Sequence, residues 1–584
     1  MSDWTPAFSL SKLSVGGAKV FTQGRDQVAV FRTGEDELFA VDNRCPHEGY
    51  PLVQGDLKGC TLTCCWHNYK FDLRDGACIK GAEAVRTFPV RVVAGPEGGG
   101  TVELDMTPPD LSDAIPGYWS SMTEGISQMR VGQAVRDAVR LIEAGVEPPA
   151  LAAFVAAFNG ERAEWGATHV LAVSADVLRW SDRYPGARFA IPLAQLIDLA
   201  ARDGVRRPVK VPAAPVDPGA DPIAAGEALR AAVESEDGAA AEAILLGALD
   251  KGWRRAEIEP WFFQLCADHF LSFGHRLIYQ IKVFNLLDAA GWDHAAPILR
   301  GHLLGIVNGT REDVLPAWAA FRKRLAALDL PALHAGAGTS PDSPLQAAAG
   351  RDALLAAILD GKPAEAVDAV TAALEAGAPL SALVDVLSLG AAERMIRFDV
   401  AIDSDPYNQD SWLSVTHIQT YVNAVRHALV RYDHPDILKM VYYAARLIQH
   451  HHVLDRPAER RAPVQPAARP DLDATLAAIL SGRIDDALGL AAALTADPGQ
   501  LAGLRDALMD VAISDRYSAP IVSAHAMKNL IVAFEEFEYT RDPRSILALI
   551  HLLTSPLQQR WTHRGAMEAV AFVTEGKIPK LLAP

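Results

Sequence analysis

The chain has only six cysteines in 584 residues. Five of them, Cys45, Cys60, Cys64, Cys65 and Cys78, lie within the first eighty positions, and Cys266 stands alone. No regular disulfide spacing runs through them, which suits a reducing compartment. A basic surplus is also missing. The net charge is −17, and a nucleic-acid partner would need clustered Lys and Arg. No apolar run approaches the roughly 18 residues of a membrane span, and the opening Met1-Ser2-Asp3-Trp4 does not read as a secretory leader. A soluble cytoplasmic protein is therefore expected, with neither nucleic acid nor membrane as partner. No glycine-rich fingerprint joins a strand to a helix, so no dinucleotide-binding unit is expected.

Two textures divide the rest. Residues 10–41 alternate in short β-rich runs broken at Gly24 and Gly34, the mark of antiparallel strands. Val85–Val93 and Thr101–Asp105 continue that pattern, and a proline-rich stretch follows from Thr107. From about residue 120 alanine and leucine dominate and apolar residues recur at three and four, as in amphipathic helices. The fold class is thus α+β and multidomain, with a small antiparallel β domain at 1–106 and a large all-α, repeat-containing region. Breaks rich in Pro, Gly and Ala at 206–222, 331–346 and 456–471 divide that region. They give two helical halves, 120–330 and 346–584, of two repeats each.

Between the two textures' β runs lies the stretch with the clearest chemistry. Cys45-Pro46-His47 and Cys64-Cys65-Trp66-His67 are separated by sixteen residues. Each pair offers a soft thiolate and an imidazole from a tight loop. Such a set suits a [2Fe–2S] cluster held by Cys₂ and His₂, and a tetrahedral Cys₂His₂ zinc site is the competing reading. Gly49-Tyr50-Pro51-Leu52 follows the first pair and Tyr69-Lys70-Phe71-Asp72 the second. With these flanks the stretch resembles the Rieske ferredoxin family. The resemblance covers roughly the first hundred residues and implies Cys45, His47, Cys64 and His67 as cluster ligands.

High-potential members of that family carry an extra cysteine after each pair, joined as a disulfide. Here those places hold Tyr50 and Trp66. Asn68 stands where such proteins have a Gly-Ser turn that helps donate to sulfur. Fewer hydrogen bonds to the sulfurs stabilise the reduced cluster less and lower its potential.

The helical repeats carry a second pattern. One helix in each block ends in an acid followed by a base: Glu161-Arg162, Asp268-His269, Glu393-Arg394 and Asp515-Arg516. The next begins with a histidine, namely His169, His275, His417 and His525. Their spacing is 106 residues in the first half and 108 in the second. Each histidine could simply be a buried residue bonded to its nearby carboxylate. Alternatively, the four histidines and the acids Glu161, Asp268, Glu393 and Asp515 converge as catalytic groups on a second iron, as in helical-bundle iron proteins. A histidine-ligated haem is a further reading. A second tier, His302, His551 and Tyr442 or Tyr443, follows one helix later, and His450-His451-His452 reads mostly as surface.

The closely spaced Asp/Glu-His-His triad of ordinary Rieske oxygenases is missing, with Asp268, His269 and His275 coming nearest. The Gly-His and Thr-His helix starts at 274–275 and 416–417, each followed by Ala/Val-rich helix, resemble instead the questin-oxidase family. That family is helical and associated with oxygen-dependent cleavage of aromatic polyketide rings. The combined expectation is a monooxygenase-like enzyme. Electrons would pass from the cluster to a helical domain that oxidises a small organic substrate with oxygen. The alternative is an electron carrier whose helices form a docking scaffold. Acidic, repeat-built chains often pair, which leaves a homo-oligomer open.

A redox titration of the purified protein should place the cluster at the low end of the Rieske range, near about −150 mV. A value high in that range would show that the missing disulfide does not set the potential.

Overall fold

The computed structural model describes residues 3–24, 26–81, 83–94, 100–108, 111–340, 343–405, 411–461, 463–516 and 519–556. Residues 406–410 and the end of the second helical half, 557–584, lie outside the described residues. Two compact units result: Met1–Gly125 with Gly132–Ala144, and Ile126–Val131 with Gly145–Pro584.

The first unit is a small antiparallel β domain. β1 (Trp4–Ser9) pairs with β11 (Gly100–Asp105), which pairs with β10 (Val90–Ala94). A second sheet runs β2 (Ala18–Gln23), β3 (Asp26–Arg32), β4 (Leu38–Asp42), β9 (Thr87–Phe88). A third runs β5 (Asp56–Lys58), β6 (Thr61–Thr63), β7 (Lys70–Asp72), β8 (Cys78–Lys80). Successive residues of β3 point to opposite faces, as the pleat requires. Ala29 and Phe31 join a core with Val41, Leu52, Leu62, Phe71, Leu73, Cys45 and Cys64. Val28 and Val30 join another with Ala40, Phe88, Val102 and Leu104. The first core lies under the Cys/His loops and buries both thiols. Two helices, Ile115–Ser127 and Val131–Glu143, belong largely to this unit, whereas the sequence reading starts the helical region near residue 120.

The second unit is helical, and helices of both sequence-defined halves fall within it. The reason is visible in the helices that carry the repeated histidines. The His275 helix (His275–Ala290) packs against the His417 helix (Trp412–Arg431), and that one against the His525 helix (Pro520–Thr540). The His525 helix also meets the short His169 helix (His169–Ser174). Each half therefore buries its apolar faces against the other.

Several buried charges inside this body are paired. Lys282 Nζ bonds Asp176 at 2.6 Å, and Arg394 bonds Asp455 at 2.6 Å. Glycines set the closest approach. Helices Pro148–Arg162 and Ala295–Val307 touch through Gly160 and Gly301, where a Cβ on Gly160 would strike the Pro297 carbonyl and one on Gly301 the Cα of Gly160. Gly166, three residues before His169, has φ +97° and lies against the backbone of Gly305.

That glycine fixes the path into His169. Replacing it by valine demands both a left-handed backbone and room that Gly305 occupies. Gly166→Val should lower the stability of the helical body by about 2 kcal/mol or more, read as an earlier denaturant midpoint by circular dichroism. An unchanged midpoint would mean that this contact does not hold the loop.

Candidate functional site

The two Cys/His loops share one backbone design. Cys45 N–H donates to Tyr50 O at 2.9 Å, and Cys64 N–H to Tyr69 O at 2.8 Å. In each loop the residue four places on returns a bond to the cysteine carbonyl: Gly49 N–H at 2.7 Å and Asn68 N–H at 3.0 Å. Both of those residues are left-handed, with φ of 76° and 60°. Asn68 is thus the counterpart of Gly49, one of the few side chains that tolerates that region.

The loops bury the thiols and present the imidazoles. Cys45 and Cys64 are 3% and 1% exposed. His47 Nδ1 and His67 Nδ1 lie 3.1 Å apart, and Tyr69 stacks on His47 with ring centroids 4.6 Å apart. His47, Glu48 and His67 offer donor atoms within 4.8 Å of one another, but neither cysteine joins that group. One zinc ion would draw all four donors onto its own coordination sphere, with bonds of about 2.0–2.3 Å. Separate thiol and imidazole pairs suit a binuclear cluster, with one pair on each iron. All six cysteines are free thiols.

The second constellation lies in the helical body. His169, His275, His417 and His525 bring one ring nitrogen each within 4.8 Å of the others. His169 Nε2 is 3.1 Å from both His275 Nε2 and His525 Nε2. The His275 and His417 rings are 4.2 Å apart, and those of His417 and His525 4.7 Å. A cation with bonds of about 2.1 Å to nitrogen holds its ligand atoms roughly 3.0–3.5 Å from one another, so the spacing fits.

Hydrogen bonds around the rings agree. His525 Nδ1 is 2.7 Å from Thr416 Oγ1, whose hydroxyl donates to Leu413 O at 3.1 Å. The ring must therefore donate from Nδ1, leaving the Nε2 lone pair for the centre. His417 is buried with neither nitrogen bonded, a costly state that a bound ion would relieve. Burial lowers all four imidazoles well below their ordinary range, and the positive charge of Lys528 adds to this. They are neutral, with lone pairs available.

The four acids do not join them. Glu161 pairs with Arg162, Asp268 with Arg230, Glu393 with Arg397, and Asp515 is exposed. Each ends the preceding helix, or follows it, on a face turned to a local arginine or to solvent. The second tier does not join either. His302 is buried, stacked on Phe262 at 5.1 Å, and His551 Nδ1 donates to Met395 O at 3.0 Å. Tyr442 bonds Thr371, and Tyr443 donates to Asp268 O. His451, expected at the surface, is buried and bonds Leu447 O at 2.8 Å.

Nor do all four histidines begin helices. His169 and His275 are first residues, whereas His417 and His525 are the sixth residues of theirs. The first pair is accordingly half-buried and the second pair buried. Before His275 the backbone takes three left-handed steps, Ser272, Phe273 and Gly274, with φ of 50°, 59° and 82°. Phe273 is 45% exposed and stacks on His417 at 6.0 Å. Glu312 Oε1 accepts from Phe273 N at 2.7 Å and so holds the turn. Phe273, Glu312, Lys528 and Arg276 were not singled out from the sequence. The available signal was a lysine inside the apolar run Ala524–Phe534.

A family model for the Rieske [2Fe–2S] domain matches residues 3–91. The chain is 32% identical over 97 residues to the anthranilate 1,2-dioxygenase ferredoxin subunit of Burkholderia cepacia, a match spanning 16% of this chain and 89% of that protein. It is 35% identical over 104 residues to the 4beta-methylsterol monooxygenase of Methylococcus capsulatus, spanning 16% of this chain and 27% of that protein. Among solved structures it is similar to the ferredoxin of carbazole 1,9a-dioxygenase from Nocardioides aromaticivorans IC177, at 27% identity over 17% of this chain and 97% of that one, with a TM-score of 0.16.

Burial raises the Glu312 carboxyl from 4.5 to about 8, with the neighbouring Asp313 adding to the shift. The folded state then holds this proton more tightly than the unfolded chain. Its contribution to stability is complete below about pH 4.5 and is lost as pH rises towards about 8. The denaturant midpoint should fall across that window, and Glu312→Gln should flatten the slope. A Gln variant that keeps the full slope would rule out Glu312 as its source.

Proposed function

Because the chain belongs to the Rieske [2Fe–2S] family through its N-terminal domain, we propose that it is an oxidoreductase with two metal centres. Cys45, His47, Cys64 and His67 would hold the cluster, and His169, His275, His417 and His525 a second metal, iron, at which an organic substrate is oxidised with dioxygen. When bound, the cluster passes one electron at a time from an external reductase or ferredoxin.

The observation that carries this reading is the convergence of four neutral imidazoles from four helices, none of them paired with the acid of its own block. Imidazole suits iron, and four ligands leave coordination positions free. The relatives' names place such domains in dioxygenase and monooxygenase systems, which supports a redox role.

The chain's own groups fit the division of labour. The thiols are shielded, and the imidazoles His47 and His67 form the edge that a donor can approach. Incorporating one oxygen atom from dioxygen and releasing the other as water takes two electrons and two protons, so the donor must act twice per turnover. Carrying both centres on one chain removes a diffusional encounter. In the helical body Thr416 orients His525, and Asn159 and Asp203 anchor Thr168 beside His169.

Iron and acid-labile sulfide should be counted on the purified full chain. The expected ratio is roughly three irons to two sulfides, falling to two and two in His417→Ala and His525→Ala with the cluster's visible spectrum retained. Wild-type protein with only the cluster's iron would overturn the second centre. Variants that keep the extra metal would overturn these ligands.

A further inference from the structure

The ligand set leaves a charge uncancelled. Four neutral imidazoles give a divalent ion no compensation, and the carboxylates on the adjoining turns already hold partners, with Asp176 Oδ2 the one buried oxygen among them left without a bond. Asp176 is bound by Lys282, Glu535 by His427 and Glu536 by Arg426, and Asp203 accepts from Thr168.

The neighbouring free groups are cationic as well. Lys528 is fully buried one turn beyond His525, and its Nζ has no partner. It lines one small cavity with Ile278 and Thr420, which stand three residues past His275 and His417. Three of the four histidine helices thus place their next turn around this lysine. Arg276, beside His275, donates to Ala167 O at 3.2 Å, and its Nε has no partner. Neither cation has an ion pair among the described residues. The His275 helix also starts at this point, with its positive end towards the centre.

A buried cation without a partner either gives up its proton or recruits an anion; burial lowers the Lys528 ammonium to about 7, whereas the Arg276 guanidinium keeps its charge. We propose that the histidine centre takes an organic oxyanion, a carboxylate or an enolate, whose oxygen completes the metal's coordination and accepts hydrogen bonds from Lys528 and Arg276. This rests on the reading of the four histidines as a metal site. The half-buried side at His169 and His275, flanked by the rings of Phe273 and Tyr279, is where the apolar body of such an anion fits. Lys528 donates an N–H whether or not it carries a charge, so its part does not depend on its protonation.

The test uses the full chain loaded with cobalt(II) in place of iron, with benzoate as the anionic probe and benzamide as its neutral isostere. Benzoate should change the cobalt visible bands and benzamide should not. Lys528→Met should keep the cobalt spectrum seen without ligand but bind benzoate at least about tenfold more weakly, the loss expected for one hydrogen bond to a charged group. Arg276→Gln provides the same readout should Lys528→Met fail to fold. Cobalt bands that respond equally to benzoate and benzamide, or undiminished benzoate binding in the variant, would overturn the anion assignment alone. Failure of the wild-type chain to bind cobalt would overturn the metal reading and this inference with it.

Discussion

Four imidazoles gathered within 4.8 Å of one another in a helical interior impose a constraint on everything around them. Protonated, they would repel at contact distance in a poorly solvated site, so burial keeps them neutral. Neutral, each still has a lone pair that needs a proton donor or a cation. Thr416 takes the outer nitrogen of His525, but no side chain serves His417. The helices that deliver the rings are held by glycine contacts at Gly160, Gly166 and Gly301 and by internal ion pairs such as Lys282–Asp176. Such rigidity is what a preformed ligand set requires, because a bundle that relaxed would let the rings turn away to find water.

The two Cys/His loops solve a different problem. They sit on short strands at the edge of a β core, and their geometry comes from backbone bonds within each loop. The repeated pattern at Cys45 and Cys64 makes the thiols point inward and the imidazoles outward without help from distant elements. A site for electron exchange benefits from that exposure, since the partner must approach closely. The histidine centre is built oppositely, from residues hundreds of positions apart, which suits chemistry that must exclude water.

This difference decides what could be read from sequence. The two Cys/His loops were legible because their Cys and His residues and the supporting turns are contiguous in Cys45-Pro46-His47 and Cys64–His67. The convergence of His169, His275, His417 and His525 showed in the sequence only as a regular spacing, because the four rings come from helices that meet only in the folded body. The adjacent acids were misread because they share the period but not the direction: a residue at a helix end turns to whichever arginine its own block provides. Asn68 looked like a departure from a glycine turn and is in fact the left-handed residue matching Gly49. Lys528 showed only as a lysine inside an apolar run and Arg276 not at all, because whether a buried cation has a partner depends on which helices surround it. His451 was placed at the surface for the same reason, since a run of three histidines does not reveal which ring turns inward.

The unequal halves give the site its direction. In the second half, His417 and His525 lie well inside long helices, which seal their side of the centre. In the first half, the chain unwinds before each histidine, through Gly166 in one case and through the left-handed Ser272-Phe273-Gly274 turn in the other. A non-glycine residue held left-handed costs about 1 kcal/mol or more, and two such residues in succession persist only because Glu312 and Gly274 fix the turn. That strain lies on the side where the imidazoles are half-exposed and where Phe273 covers His417. On the proposed reading, a helical body that encloses His417 and His525 and is locally unwound before His169 and His275 would provide both a rigid ligand set and a side from which a substrate can reach it. A perfectly symmetric repeat would bury all four rings alike and leave the centre without access.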